Sequence, residues 1–193
     1  MKKETEITVL VNSDYETLKD KLEKNGFKIK EEYRLNDVYM IDKTVDLSRL
    51  SNLDILKKCV LVREIVGIKK VLLYKYKKYA ENGDILEQWK VECPIMDISK
   101  AIEFMNSINY QSLFEIRDDC TVFANEKSEL VVQSVNDKYL FIEMESECEY
   151  IERVYGSIDE MKQDINNYDL PIDSTNYFVK KAEIILEEVK KSI

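Results

Sequence analysis

Residues 4–11, ETEITVLV, and residues 139–147, YLFIEMESE, decide how this chain is read. Both are strand-like, and side chains along a strand point to alternate faces. One face of the first carries Ile7 and Val9, and the matching face of the second carries Ile142 and Met144. The opposite faces carry Glu4 and Glu6, then Glu143 and Glu145. Two strands far apart in sequence thus share one design, apolar on one side and doubly acidic on the other.

The alternation continues through the strands between them. "DVYMI" reads as a strand, then "KCVLVREIV", "KKVLLYKYKKY" and "ILEQWKVEC" crowd together, with Gly83 in "ENGD" as a hairpin-type turn between the last two. "SLFEIRDD", "TVFAN" and "ELVVQSV" follow. The apolar face collects Val60, Val62, Leu72, Tyr74, Tyr76, Trp89, Val91, Ile116 and Val132 in addition to the residues above. The other face adds Thr8, Leu61, Arg63, Lys75, Lys77, Lys90, Glu92, Glu115, Arg117 and Gln133, so that it holds six carboxylates and five cations. An open antiparallel sheet with one solvated face gives this pattern. So does a sheet closed into a barrel, whose charged face would line a tunnel for a charged ligand and a divalent cation.

Helices are expected over 14–25, 98–108 and 175–191. The first is capped at Asn12 or Ser13 and stopped by Gly26, and the second is capped at Asp97. "SIDEMKQDI" opens with a Ser157–Glu160 capping-box pattern. Residues 44–57 are ambiguous between loop and short helix. The order predicts an α+β fold in a single domain, 1–193, with helices covering the apolar face and Trp89 packed outward beneath one of them.

Composition narrows the function. The chain has 193 residues, with 38 acidic against 29 basic, a formal net charge of −9. That balance argues against a nucleic-acid binder, whose affinity rests on neutralising phosphates. There is no His, which removes Ser-His-Asp, Cys-His and His-metal chemistry. The four Gly are scattered, so neither a Walker loop nor GxGxxG is present. Four isolated Cys without a CxxC pair, no apolar leader and no run of 18 apolar residues predict a cytoplasmic protein without membrane contact.

The ordered set of strand motifs resembles the CYTH family, the triphosphate tunnel proteins. That family includes class IV adenylyl cyclases, thiamine triphosphatases and inorganic triphosphatases. "ETEIT" resembles its N-terminal ExExK, with Thr8 in the Lys position. "DVYMID" resembles its D-x-Y strand at Asp37 and Tyr39, and "VLVRE" its RxR strand, with Arg63 kept and Leu61 in the first basic position. "LYK" keeps Lys75 of TYK, and "KVE" keeps Glu92 of an ExE whose first Glu is here Lys90. "EIR" keeps Arg117 of KxR with Glu115 for Lys, and Gln133 in "VVQSV" stands where a late Asp is expected. "YLFIEME" matches the terminal G-x-F-x-E-x-E at Glu143 and Glu145, and "STNY" resembles the C-terminal SY helix start at Tyr177. The resemblance covers nearly the whole chain.

It implies an antiparallel eight-stranded β-barrel tunnel with helices packed outside. It further implies Mg²⁺ or Mn²⁺ at Glu4, Glu6, Glu92, Glu143 and Glu145, since hard cations prefer carboxylate oxygens. Arg63, Lys75, Lys77, Lys90 and Arg117 would grip phosphate. The expected ligand is a small-molecule triphosphate or another phosphorylated compound, handled by a monomer or homodimer. No general base can be assigned, and metal-activated water is the default.

Three family cation positions are neutral or acidic here: Thr8, Leu61 and Glu115. At about 1.5–3 kcal/mol for each charge-assisted bond, losing three would cost roughly 5–9 kcal/mol of triphosphate binding if additive. Two functions follow: a divergent metal-dependent triphosphatase, or a tunnel protein that binds a phosphorylated or charged ligand without turnover. Adenylyl cyclase activity ranks third, because no residue can be given the task of aligning a ribose hydroxyl.

Overall fold

A computed structural model describes residues 5–79 and 85–191. Glu4 and the Gly83 turn lie outside the described residues. The fold is α+β, with eight antiparallel strands in one sheet, ordered β1-β8-β7-β6-β2-β3-β4-β5. The strands are β1 (Glu6–Leu10), β2 (Lys28–Asp42), β3 (Val60–Ile65), β4 (Lys69–Tyr79), β5 (Ile85–Pro94), β6 (Tyr110–Ala124), β7 (Glu129–Val135) and β8 (Tyr139–Glu145). The helices are α1 (Tyr15–Lys24), α2 (Asn52–Leu56), α3 (Ile98–Ser107), α4 (Ile158–Asn166) and α5 (Lys181–Lys191). The described residues gather into two compact units, one of residues 34–79, 85–117 and 180–191, the other of residues 5–33 and 118–179.

In the second unit β1, β8 and β7 lie side by side. Ile7, Val9, Val132, Ile142 and Met144 form one core with Leu18 and Leu22 of α1 and Met161 and Ile165 of α4. The apolar alternation seen in the sequence is this buried face. Asp14, rather than Asn12 or Ser13, caps α1, its carboxylate accepting from the Thr17 N–H at 2.8 Å. Ser157 caps α4 by accepting from the Glu160 N–H at 3.2 Å, while Glu160 reaches back to the Gly156 N–H at 2.8 Å. Asn136 and Asp137, at φ 52° and 55°, make the tight turn between β7 and β8; two left-handed residues match the twist of a hairpin, and Asn and Asp tolerate that region.

The order of strands is open, with β1 and β5 at its ends, so the ladder expected to close a barrel is not formed among the described residues. The outer side of β1 is taken by the chain itself. The Thr8 N–H donates to the Tyr177 carbonyl at 2.9 Å, and Val179 and Asp173 donate to the carbonyls of Thr8 and Leu10. This bonding also explains why α5 starts at Lys181 and not near 175. Backbone spent on a strand edge is withdrawn from a helix.

In the first unit α3 sets Ala101 and Met105 on Val38, Met40 and Val62. On the opposite face of the same strands Leu61, Val71 and Leu73 form a second apolar cluster with Tyr39, whose ring stacks on Phe114 at 4.4 Å between centroids. The ambiguous stretch 44–57 contains a turn of 3₁₀ helix at Leu47–Arg49 and then α2. Trp89 takes the face opposite Lys90, as expected, but its ring neighbour is Tyr76 of β4, at 4.1 Å. Tyr76 and Val91 beside it are exposed, so this part of the face is not buried under a helix as expected.

A candidate metal centre and the strand cations

The β1–β8 register sets Glu6 across from Glu145 and Thr8 across from Glu143. Carboxylate oxygens of Glu6, Glu143 and Glu145 all lie within 4.8 Å of one another. Three like charges at that spacing repel, and Glu6 and Glu143 are only partly exposed, which weakens the screening by water. An all-oxygen, carboxylate-rich donor set of this kind suits Mg²⁺ or Mn²⁺ and is poorly suited to thiophilic metals.

Two further groups share that face. Cys120 is paired with Gln133 and Asp118 with Val135, while Gln133 in turn faces Phe141 of β8. Asp118 is buried, and its carboxylate accepts from the Cys120 thiol at 3.5 Å. Burial, and then the neighbouring Cys120, Glu143 and Asp118, raise the Tyr33 phenol above its ordinary value of 10.0 and keep it protonated. Sequence alternation missed Asp118 and Tyr33. Asp118 falls at the end of "SLFEIRDD", past the residues whose faces alternation assigned, and Tyr33 precedes "DVYMI", the part of β2 that reads as a strand.

In the other unit Arg63 lies directly across from Asp37. Its Nε and Nη2 donate to the two Asp37 oxygens, each at 2.6 Å, a bidentate pair with Asp37 only 5% exposed. Lys75 faces Lys90 across β4 and β5. Glu92 accepts from Lys69 at 2.7 Å, a bond that draws its carboxyl below the usual carboxylate value. Glu92 therefore has an ammonium partner within its own unit. Lys77 is placed by its backbone across from Gln88.

One expected placement holds but in apolar surroundings, and one is corrected. Leu61, in a family cation position, is buried against Leu73 and Val71 and belongs to an apolar cluster rather than a ligand surface. Glu115 and Arg117 do not share the face of Arg63. Burial alternates from Leu113 to Cys120 of β6, with Phe114, Ile116, Asp118 and Cys120 buried, and Phe114 stacks on Tyr39, next but one to Asp37 on β2. Arg117 and Glu115 therefore point to the opposite side of the sheet. The stacked Tyr39–Phe114 pair sets the phase of β6, which Ile116 alone could not reveal.

Comparison with known proteins yields likeness of fold. The chain is similar to a conserved hypothetical protein of Pyrococcus furiosus at 16% identity, over 93% of this chain and 99% of that one, with a TM-score of 0.62. It is similar to a Pyrococcus horikoshii protein at 18% identity, over 90% and 97% of the two chains, with a TM-score of 0.58. A proposed adenylate cyclase from Vibrio parahaemolyticus matches at 11% identity over 96% and 98%, with a TM-score of 0.57. No protein-family model matches the sequence, and no curated protein matches it. No helix among the described residues is long and apolar enough to cross a membrane.

Proposed function

We propose that this chain is a divergent CYTH-like protein that binds a divalent cation at Glu6, Glu143 and Glu145 and, together with it, a phosphorylated small ligand. The observation that carries this reading is the convergence of three carboxylates within 4.8 Å on the face where the sequence had placed two acidic strands. Bound Mg²⁺ or Mn²⁺ would supply positive charge and Lewis acidity to phosphate oxygens. Glu6, Glu143 and Glu145 hold the ion, and the Tyr33 phenol beside Glu143 stays protonated as a donor. Of the expected phosphate ligands, Arg63, Lys75 and Lys90 stay candidates within their own unit, with Lys77 next but one to Lys75 on β4, and Arg117, which points to the opposite side of the sheet, is withdrawn.

Tight triphosphate binding is disfavoured by the residues themselves. Thr8 is a buried hydroxyl where the family pattern has Lys, Leu61 is packed in an apolar cluster, and Arg63 already spends two donors on Asp37. Triphosphate hydrolysis is the second reading. It is favoured by the likeness to a proposed adenylate cyclase, an enzyme class that consumes a nucleoside triphosphate.

Titration calorimetry with Mn²⁺ should show one site in the wild-type protein and none in Glu143→Gln, which keeps the shape and removes one charge. At a hundredfold excess over Kd the ion should stabilise the wild type by about 2.7 kcal/mol and the variant by nothing measurable. Equal binding by both proteins would sink the assignment. Phosphate release from inorganic triphosphate, thiamine triphosphate and ATP with Mn²⁺ separates the readings: steady turnover makes the protein a hydrolase, and binding without turnover makes it a carrier or sensor.

A further inference from the structure

We infer that a second copy of this chain docks on the outer edge of β5, the two strands pairing antiparallel about Val91. β5 is the last strand of the sheet order. Successive residues of a strand turn their backbone groups to alternate sides. The Ile95 N–H donates to the Lys70 carbonyl at 3.0 Å, which fixes the phase. Cys93, Val91 and Trp89, across from Leu72, Tyr74 and Tyr76, bond in the same sense toward β4. The backbone groups of Gln88, Lys90, Glu92 and Pro94 are therefore directed to the outer side. Val91, at the middle of this run, is 60% exposed.

Charge selects the register. In a two-fold symmetric antiparallel pair each residue faces one whose number completes a constant sum, and opposed residues share a face. An axis at Lys90 sets ammonium against ammonium, and an axis at Glu92 sets carboxylate against carboxylate. An axis at Val91 sets each Lys90 against Glu92 of the partner subunit, twice by symmetry, with the Glu92 carboxylate then shared between its own Lys69 and the incoming Lys90, and with backbone bonds in both directions at each pair. Gln88 then donates to the carbonyl of the partner's Pro94, and the proline, having no N–H, ends the ladder. Val91 meets its copy at a position without backbone bonds, where opposed side chains approach most closely. The partly exposed strip of Tyr74, Tyr76 and Trp89 on the same face continues across the axis into its copy. Charges on an edge strand ordinarily keep copies apart; here their alternating signs make the edge self-complementary.

Sedimentation velocity of the whole chain, from low micromolar into the hundreds of micromolar, should show a species of twice 22.8 kDa growing with concentration. Lys90→Glu and Glu92→Lys, each alone, should associate about tenfold or more weakly, because like charges then oppose each other twice. An equimolar mixture of the two variants should dimerise as the wild type does, since opposite charges again face each other at both positions. Val91→Lys, at an exposed site, should also abolish the dimer while leaving the circular dichroism spectrum unchanged. A wild type that stays at 22.8 kDa throughout overturns the proposal. So does a dimer indifferent to these substitutions, or a mixture of the charge variants that remains monomeric.

Discussion

Arg63 illustrates what one residue can hide. As a cation on a strand it reads as a phosphate ligand facing open water, and its removal is then expected to cost little stability. Its bidentate hold on nearly buried Asp37 reverses that expectation. Deleting one partner of a buried pair strands the other charge, at a cost of about 3–5 kcal/mol. Urea denaturation of Arg63→Ala should show a loss of that size, and a loss under 1 kcal/mol, typical of an exposed pair, would mean that the pair is solvated. The acidic pairs were legible because a period of two and like charge are both visible in one dimension. The Asp37–Arg63 bond was not, because a cross-strand partner is set by register, and nothing local in "DVYMI" or "VLVRE" encodes it.

At the scale of elements, α4 is pinned by more than its apolar face. Asp164 accepts from the hydroxyls of Ser128 at 2.5 Å and Tyr155 at 2.6 Å, and Arg153 lies 3.4 Å away. Ser128 is fully buried, so its hydroxyl has no water to fall back on. Asp164→Ala should lower stability by about 3 kcal/mol, whereas Asp164→Asn, which keeps an acceptor, should lose less. Equal losses in the two variants, read from denaturant midpoints, would show that packing rather than hydrogen bonding anchors the helix. Helices α3 and α4 were readable from their caps, and α1 from its apolar spacing and the glycine after it. The start of α5 was not: "STNYF" has an acceptable helix opening, and only the demand of the β1 edge for bonding partners draws residues 173–179 away from helix. The length of β2 was missed because its first half, "KIKEEYRLN", carries no apolar patterning and buries none of its side chains fully.

For the whole molecule, ionisable groups set an alkaline limit. Burial pushes the phenols of Tyr33, Tyr39 and Tyr155 above their ordinary 10.0. Burial likewise raises the Cys59 thiol from 9.0 to about 12. All four favour the protonated form in the folded state. Their contribution is complete below the unfolded values and is lost as pH climbs toward the folded ones. Denaturant midpoints should therefore hold steady to about pH 9 and fall from about pH 10 upward. A flat profile to pH 12 would mean that these groups ionise as easily folded as unfolded. The strands and their acidic face were legible at this scale because patterning repeats, although "SLFEIRDD" and "TVFAN", read as two strands, form the single strand β6; closure was not legible, because it depends on which segment reaches the edge of β1 first. That edge has a consequence for biosynthesis. β1 is translated well before both of its neighbours, β8 and residues 171–179. At ~5–20 residues per second the strand waits on the order of ten seconds as an unpaired ribbon with one greasy side. Glu6, which later joins the candidate metal centre, then serves first as a gatekeeper, keeping the nascent strand in solution until its partners have been made.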